Sequence, residues 1–180
     1  MRSGVLSSRR LDLIPLPTAA LDALIAGDRQ RLEAETGARF PAPLAAPPLM
    51  EDALPFMRDS LREDAENARW GPYLIVLRET GEAVGSAGFT GKPGGAGIVT
   101  LGYSIYSEFQ RRGIASEAAT ALVAWAVAQP GVRSVRATIP PGHSASQRVA
   151  AHAGLRRTSL VEHDPDEGSV EVWERISETT

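Results

Sequence analysis

The chain of 180 residues contains no cysteine. Disulfide staples, thiolate metal sites and cysteine nucleophiles are therefore excluded. Lysine is almost absent as well: Lys92 is the single lysine among 19 basic residues, a mark of genome composition rather than of chemistry. No apolar run reaches the roughly 18 residues that a membrane-spanning helix needs. Met1 to Leu6 lacks the long apolar core of a signal peptide, so the expectation is a cytoplasmic protein with no membrane partner. Nor is there an excess of positive charge. With 19 basic and 22 acidic residues the formal net charge is -3, which gives no whole-molecule basis for binding nucleic acid. Any basic site must be local.

Several catalytic signatures are missing too. Gly91-Lys92-Pro93 lacks the Ser/Thr of a phosphate-binding P-loop. Gly94-Gly95-Ala96-Gly97 precedes a strand instead of opening a helix, which excludes a dinucleotide fingerprint. There is no Gly-x-Ser-x-Gly elbow. The three histidines, His143, His152 and His163, show no zinc-ligand spacing, so no metal is expected.

What is present is a chain of 43% hydrophobic residues with the length of one domain, 1–180. Leu11 to Leu16 alternates as a short strand, Thr18 is expected to cap a first helix, and Asp28 a second that ends at Gly37. The prolines between Phe40 and Pro48 force an irregular connection. A third helix is expected over Pro55–Ala68, with Phe56, Leu61 and Met57 facing inward. Tyr73–Leu77 and Ala83–Phe89 read as a hairpin about Thr80-Gly81-Glu82. Strand-like runs follow at 98–106 and 132–139, helical ones at 117–129 and 144–153, and a final strand pair at 155–161 and 170–176. The acidic segment from Glu162 reads as a solvated edge.

One corner carries chemistry. Gln110-Arg111-Arg112-Gly113-Ile114-Ala115 lies between a strand and a helix. Loop amides and the unpaired N–H groups of a helix start point toward one spot there, where the helix dipole is positive and an anion fits. Gly113 and Ala115 let a ligand approach the backbone closely, and two arginines flank them. Taken alone, the glycine also fits a purely structural corner.

The surroundings carry a resemblance. The order of hairpin, Leu101-Gly102-Tyr103-Ser104-Ile105, the corner, Glu117-Ala118 and Trp125-Ala126 resembles the GNAT acetyltransferases, in the branch of the ribosomal-protein N-terminal acetyltransferases (RimJ/RimL-like). Val135-Arg136-Ala137, Pro141, Ser144 to Val149 and Gly154-Leu155 resemble the family's second half-motif, and Arg10 to Leu13 its opening. The resemblance implies an α/β (α+β) fold: a mixed, mostly antiparallel sheet of six to seven strands flanked by helices, with the fourth and fifth strands splayed apart. It implies acetyl-CoA as co-substrate and direct acetyl transfer to a primary amine. Gln110, Gly113 and Ala115 occupy the family's loop positions; Arg111, Arg112, Gly113, Ile114 and Ala115 would cradle the pyrophosphate, and Ile105 and Tyr106 would offer backbone groups to the pantetheine and the acetyl carbonyl.

Ser146 is the family's acid for the departing thiolate, or a cofactor contact, or else an ordinary helix serine. His143 stands where an asparagine commonly faces the cofactor, and serves either as base or as a hydrogen-bonding replacement. Thr100 and Thr138 stand where relatives often carry glutamate, so two familiar bases are missing. Deprotonating a lysine-like amine at pH 7 costs about 4.6 kcal/mol, an α-amine about 1 kcal/mol. The expected acceptor is an α-amine, on a protein N-terminus or an amino-acid-like small molecule, with Phe40 to Met50 as one wall of its site and Trp70, Tyr73 and Trp173 either beside it or in the core. The alternatives are a non-catalytic acyl-CoA sensor or scaffold, and an enzyme for another acyl donor or an oxygen nucleophile. The protein is expected as a monomer or homodimer.

Overall fold

The computed structural model describes residues 4–48 and 50–178. One sheet runs through the molecule in the order β1-β2-β3-β4-β5-β6-β8-β7. Its strands are β1 (Leu6–Ser7), β2 (Leu11–Pro15), β3 (Tyr73–Leu77), β4 (Glu82–Phe89), β5 (Ile98–Ile105), β6 (Ser134–Ile139), β7 (Arg156–Asp164) and β8 (Gly168–Ile176). That is eight strands rather than six to seven, because the two-residue β1 adds an edge beside β2. The splayed pair expected as fourth and fifth is accordingly β5 and β6. All neighbours are antiparallel except these two, since the helix between them carries the chain back to the starting edge.

Helices cover both faces. On one, α1 (Thr18–Ile25), α2 (Arg29–Thr36) and α3 (Leu54–Glu63) enclose Leu16, Leu21, Leu32, Leu74 and Ala83. On the other, α4 (Ile114–Val127) and α5 (Ser144–His152) pack on Leu11, Ile75, Val84, Val99 and Ile105. The expected stripe on α4 is core: Ala118, Leu122 and Ala126 have no exposed surface. Trp125 lies 4.9 Å, centroid to centroid, from Trp70, which meets Phe89 edge-on at 5.8 Å. Trp70 and Tyr73 are thus core residues, and Trp173 packs against the same cluster.

Three local expectations need correction. Pro17, not Thr18, occupies the cap position of α1, its carbonyl accepting from the Ala20 amide at 2.9 Å. The third helix stops at Glu63, because Asp64 turns extended and its carboxylate accepts the Glu66 amide at 2.9 Å, opening a 3-10 turn over Ala65–Arg69. Phe56 does not face inward but is 72% exposed, since the buried stripe of α3 runs through Leu54 and Leu61. Asp28 does cap α2, accepting from Arg31 at 3.0 Å, and Gly37 ends that helix at φ 65°.

Candidate active site

Strands β5 and β6 pair only at Ile98 with Ser134, Val99 with Val135 and Thr100 with Arg136. Past Thr100 each follows its outer partner, β5 along β4 to Gly85 opposite Ile105, β6 along β8 to Glu171 opposite Ile139. The strands separate, and a cavity of about 150 Å³ opens among Leu101, Gly102, Tyr103, Thr138, His143 and Ser146. The Thr90 amide donates to the Thr100 carbonyl across β4 and β5. Alternation along β5 then turns the peptide groups of Leu101, Tyr103 and Ile105 toward the cleft. An unpaired strand edge of this kind takes an extended, amide-bearing ligand. At its end the Ile105 carbonyl accepts from Gln110 Nε2 at 3.0 Å, while the Tyr106 amide donates to Val84 at 3.0 Å.

The corner beside this cleft has an anion cradle's geometry. Arg111 at φ 60° and Gly113 at φ 73° are both left-handed, with Arg112 between them. Alternating conformations of that kind bring successive amides to one concavity. Gly113 caps α4 without any side-chain acceptor. Among the described residues, the amides of 111 to 116 donate to no protein group. Arg112 does not reach forward; it donates to the Glu108 carbonyl at 2.8 Å and lies over the Phe109 ring at 5.3 Å. A different arginine supports the cradle. Arg10 donates through its amide and its Nε to Glu117, both at 2.7 Å, and through Nη1 to the Arg112 carbonyl at 3.1 Å. Glu117 also accepts from the Ser8 hydroxyl at 2.7 Å. Burial works against its ionisation, yet the Arg10 and Ser8 hydrogen bonds outweigh that and hold its carboxyl below the usual range.

Across the cleft, His143 caps α5, its Nδ1 accepting from the Ser146 amide at 3.3 Å. The Ser146 carbonyl accepts from the Tyr103 hydroxyl at 3.1 Å, so the tyrosine spans the cleft from β5 to α5. Burial pushes its phenol pKa up, against the lowering effect of that hydrogen bond. Thr138 and Glu167 complete the rim.

A second cavity, of about 370 Å³, lies on the opposite face of β4 and β5 and shares Gly102 and Tyr103 with the first. Its floor is the cross-strand pairs Ser86 with Ser104 and Gly88 with Gly102. Small side chains at all four positions leave the space open. A Cβ added at Gly102 would meet nothing within 4 Å. The walls include Pro48, Met50, Phe56, Met57 and Pro72. The connection from Phe40 to Met50 is stapled in place: Arg29 donates to the carbonyls of Phe40 and Pro41, both at 2.7 Å, and Tyr106 to that of Ala45 at 2.8 Å. Leu49 lies outside the described residues.

Residues 10–156 match the acetyltransferase (GNAT) domain family. The chain belongs to that family. Membership makes it an acetyl-CoA-dependent acyltransferase. It is 26% identical over 154 residues to an uncharacterized N-acetyltransferase, YjdG, of Bacillus subtilis, covering 84% of this chain and 89% of that one. A GnaT-family acetyltransferase from Bordetella pertussis superposes with a TM-score of 0.66 at 28% identity, over 95% of this chain and 98% of the other. RimL, a ribosomal-protein alpha-N acetyltransferase solved in complex with coenzyme A, gives 0.68 at 17% identity over 98% and 99% of the two chains. The last likeness is one of fold.

Within this GNAT chain, sequence reasoning located the corner and the two strands around it but assigned no role to Arg10, Tyr103 or Glu167. Tyr103 had a signal, as the one polar-tipped side chain on an otherwise apolar β5 face. Glu167 had none, for it arrives from the β7–β8 turn, remote in sequence from the cleft. No helix among the described residues is long and apolar enough to cross a membrane.

Proposed function

We propose that this enzyme moves the acetyl group of acetyl-CoA to an α-amine by direct transfer. The observation that carries the proposal is the pair of cavities that share Gly102 and Tyr103, one opening toward unpaired amides and the other lined, among the described residues, by no Asp, Glu, His, Lys or Arg. The residues present suit the co-substrate. The pyrophosphate would rest on the amides from Arg111 to Ala115 and the dipole of α4, with Gln110 bracing the loop against Ile105. The pantetheine would lie along the cleft-facing edge of β5, starting at Ile105 beside the cradle and ending near Tyr103 and Gly102, where the two cavities border one another. His143 and Ser146 would form the opposite wall.

In the reaction, the amine nitrogen bonds to the acetyl carbon as the carbon–sulfur bond breaks, and the proton shed by nitrogen accounts for the free thiol. The chain's own part is to hold the two groups together, exclude water and leave the α-amine uncharged. With no carboxylate in the acceptor cavity, an amine already near neutrality at pH 7 is favoured over a lysine by about 3.6 kcal/mol. His143 holds the start of α5 in this arrangement, and Ser146 would be the proton donor for the thiolate.

Release of free thiol from acetyl-CoA, followed against α-amino peptides, amino acids and lysine-like alkylamines at pH 7, tests the proposal. Faster turnover of the α-amines is expected; a clear preference for alkylamines would overturn it. Thermal stabilisation by acetyl-CoA, about 2.7 kcal/mol at ~100 times the dissociation constant, without thiol release for any amine would also overturn it.

A further inference from the structure

We infer that the larger cavity selects amines carried on an apolar body with no carboxylate beside the nitrogen, and that the Ser86 and Ser104 hydroxyls hold that nitrogen. The inference rests on the acetyl-transfer reading above and narrows its acceptor to α-amino amides with a large apolar side chain, either an amino-acid amide or the first residue of a peptide.

The cavity's volume of about 370 Å³ falls within the range of small-ligand sites, about 300–1,000 Å³. Its uncharged lining decides what can enter. A free amino acid would bring a carboxylate into a site with no cation to pair it, which is costly. The cations adjoining the lining in sequence are engaged elsewhere: Arg58 with Asp59 and Asp22, Lys92 with Asp64. An amide removes that charge and keeps the α-amine's low pKa. Met50, Met57 and the exposed Phe56 offer apolar surface to its side chain.

The floor supplies the polar contact. Ser86 is only 5% exposed, and among the described residues its hydroxyl makes no hydrogen bond. Ser104, directly opposite on β5, is half-buried, and among the described residues its hydroxyl makes no hydrogen bond either. Alternate residues Ala87 and Tyr103 belong to the cluster on the other face, so both serines point into this cavity. Both hydroxyls are open to the cavity and unpaired, so a ligand N–H can bond to them. A hydroxyl holds an amine without taking its proton, which suits an acceptor that sheds it readily.

The test uses the whole protein with acetyl-CoA and four acceptors: phenylalanine amide, a peptide beginning with phenylalanine, free phenylalanine and glycine amide. Phenylalanine amide and the peptide should exceed the other two in kcat/KM by about tenfold or more. The double substitution Ser86→Ala, Ser104→Ala should raise the amine's KM and leave that of acetyl-CoA unchanged. Met57→Arg supplies the missing cation and should narrow the preference for phenylalanine amide over free phenylalanine. Equal rates for the free acid, or an unchanged amine KM in the double variant, would overturn the inference while transfer itself stands. Calorimetric binding of N-acetylphenylalanine amide in the presence of CoA separates the two ideas from the other side: binding without turnover of any amine would retain the acceptor class and remove the transfer reading, and no binding would overturn the inference.

Discussion

Gly113 carries a conformational demand that glycine meets most cheaply. At φ 73° an L side chain is strained whatever the space around it, although a Cβ there would meet only Arg10 Nη2 at 3.6 Å. Valine at this position should cost about 1–2 kcal/mol in backbone strain and push a methyl group into the anion's approach. CoA affinity measured by calorimetry should fall at least about tenfold, the loss of some 1.4 kcal/mol of binding, with the circular dichroism of the fold retained. Unchanged affinity would remove the cradle from its proposed role.

Glu117 makes a second demand, through charge. Because its pKa is lowered in the fold, its stabilising contribution is full above the ordinary value of 4.5 and fades as pH drops through the lowered one. Glu117→Gln leaves Arg10 and Ser8 with weaker partners and should cost about 1.5–3 kcal/mol at pH 7. In urea titrations across pH, the gap between wild type and variant should close on the acid side. A gap independent of pH would mean that the carboxylate's charge plays no part.

At the level of elements, α4 has two duties, since its N-terminus presents the cradle amides and its body fills the core. Leu122 has no exposed surface, and Leu122→Ala should destabilise the protein by about 2–5 kcal/mol. CoA should then add more to the melting temperature of the variant than a surface substitution such as Glu79→Ala leaves it to add, if α4 tightens on binding. Equal ligand shifts in the two variants would show the helix start to be rigid already. Helices and strands with strong periodicity were legible in the sequence: the α4 stripe, the Asp28 cap and the hairpin about Gly81 all follow from local rules. Phe56 misled because a helical stripe can be read in two phases until the partner surface is known. The end of α3 misled because Asp64 competes for backbone amides, which composition alone does not reveal.

Across the whole molecule, what escaped the sequence is whatever depends on register between strands. Ser86 and Ser104 are 18 positions apart in sequence, and only the pairing of β4 with β5 makes them neighbours. Arg10 and Glu117 meet for a similar reason, β2 and the start of α4 being brought together by the packing of one sheet face. The splay of β5 from β6 was anticipated from the family resemblance; its cause is the fidelity of each strand to its outer neighbour, and that too is a property of the sheet and not of a segment.

The two cavities' common border at Gly102 and Tyr103 has a consequence for the order of events in solution. With no cysteine in the chain and the two cavities bordered by the same two residues, direct transfer needs no acetylated enzyme, and both substrates should be present before either product leaves. Initial rates plotted as double reciprocals should then give intersecting lines, and coenzyme A should compete with acetyl-CoA alone. Parallel lines would point instead to an acetylated enzyme as a stable waypoint.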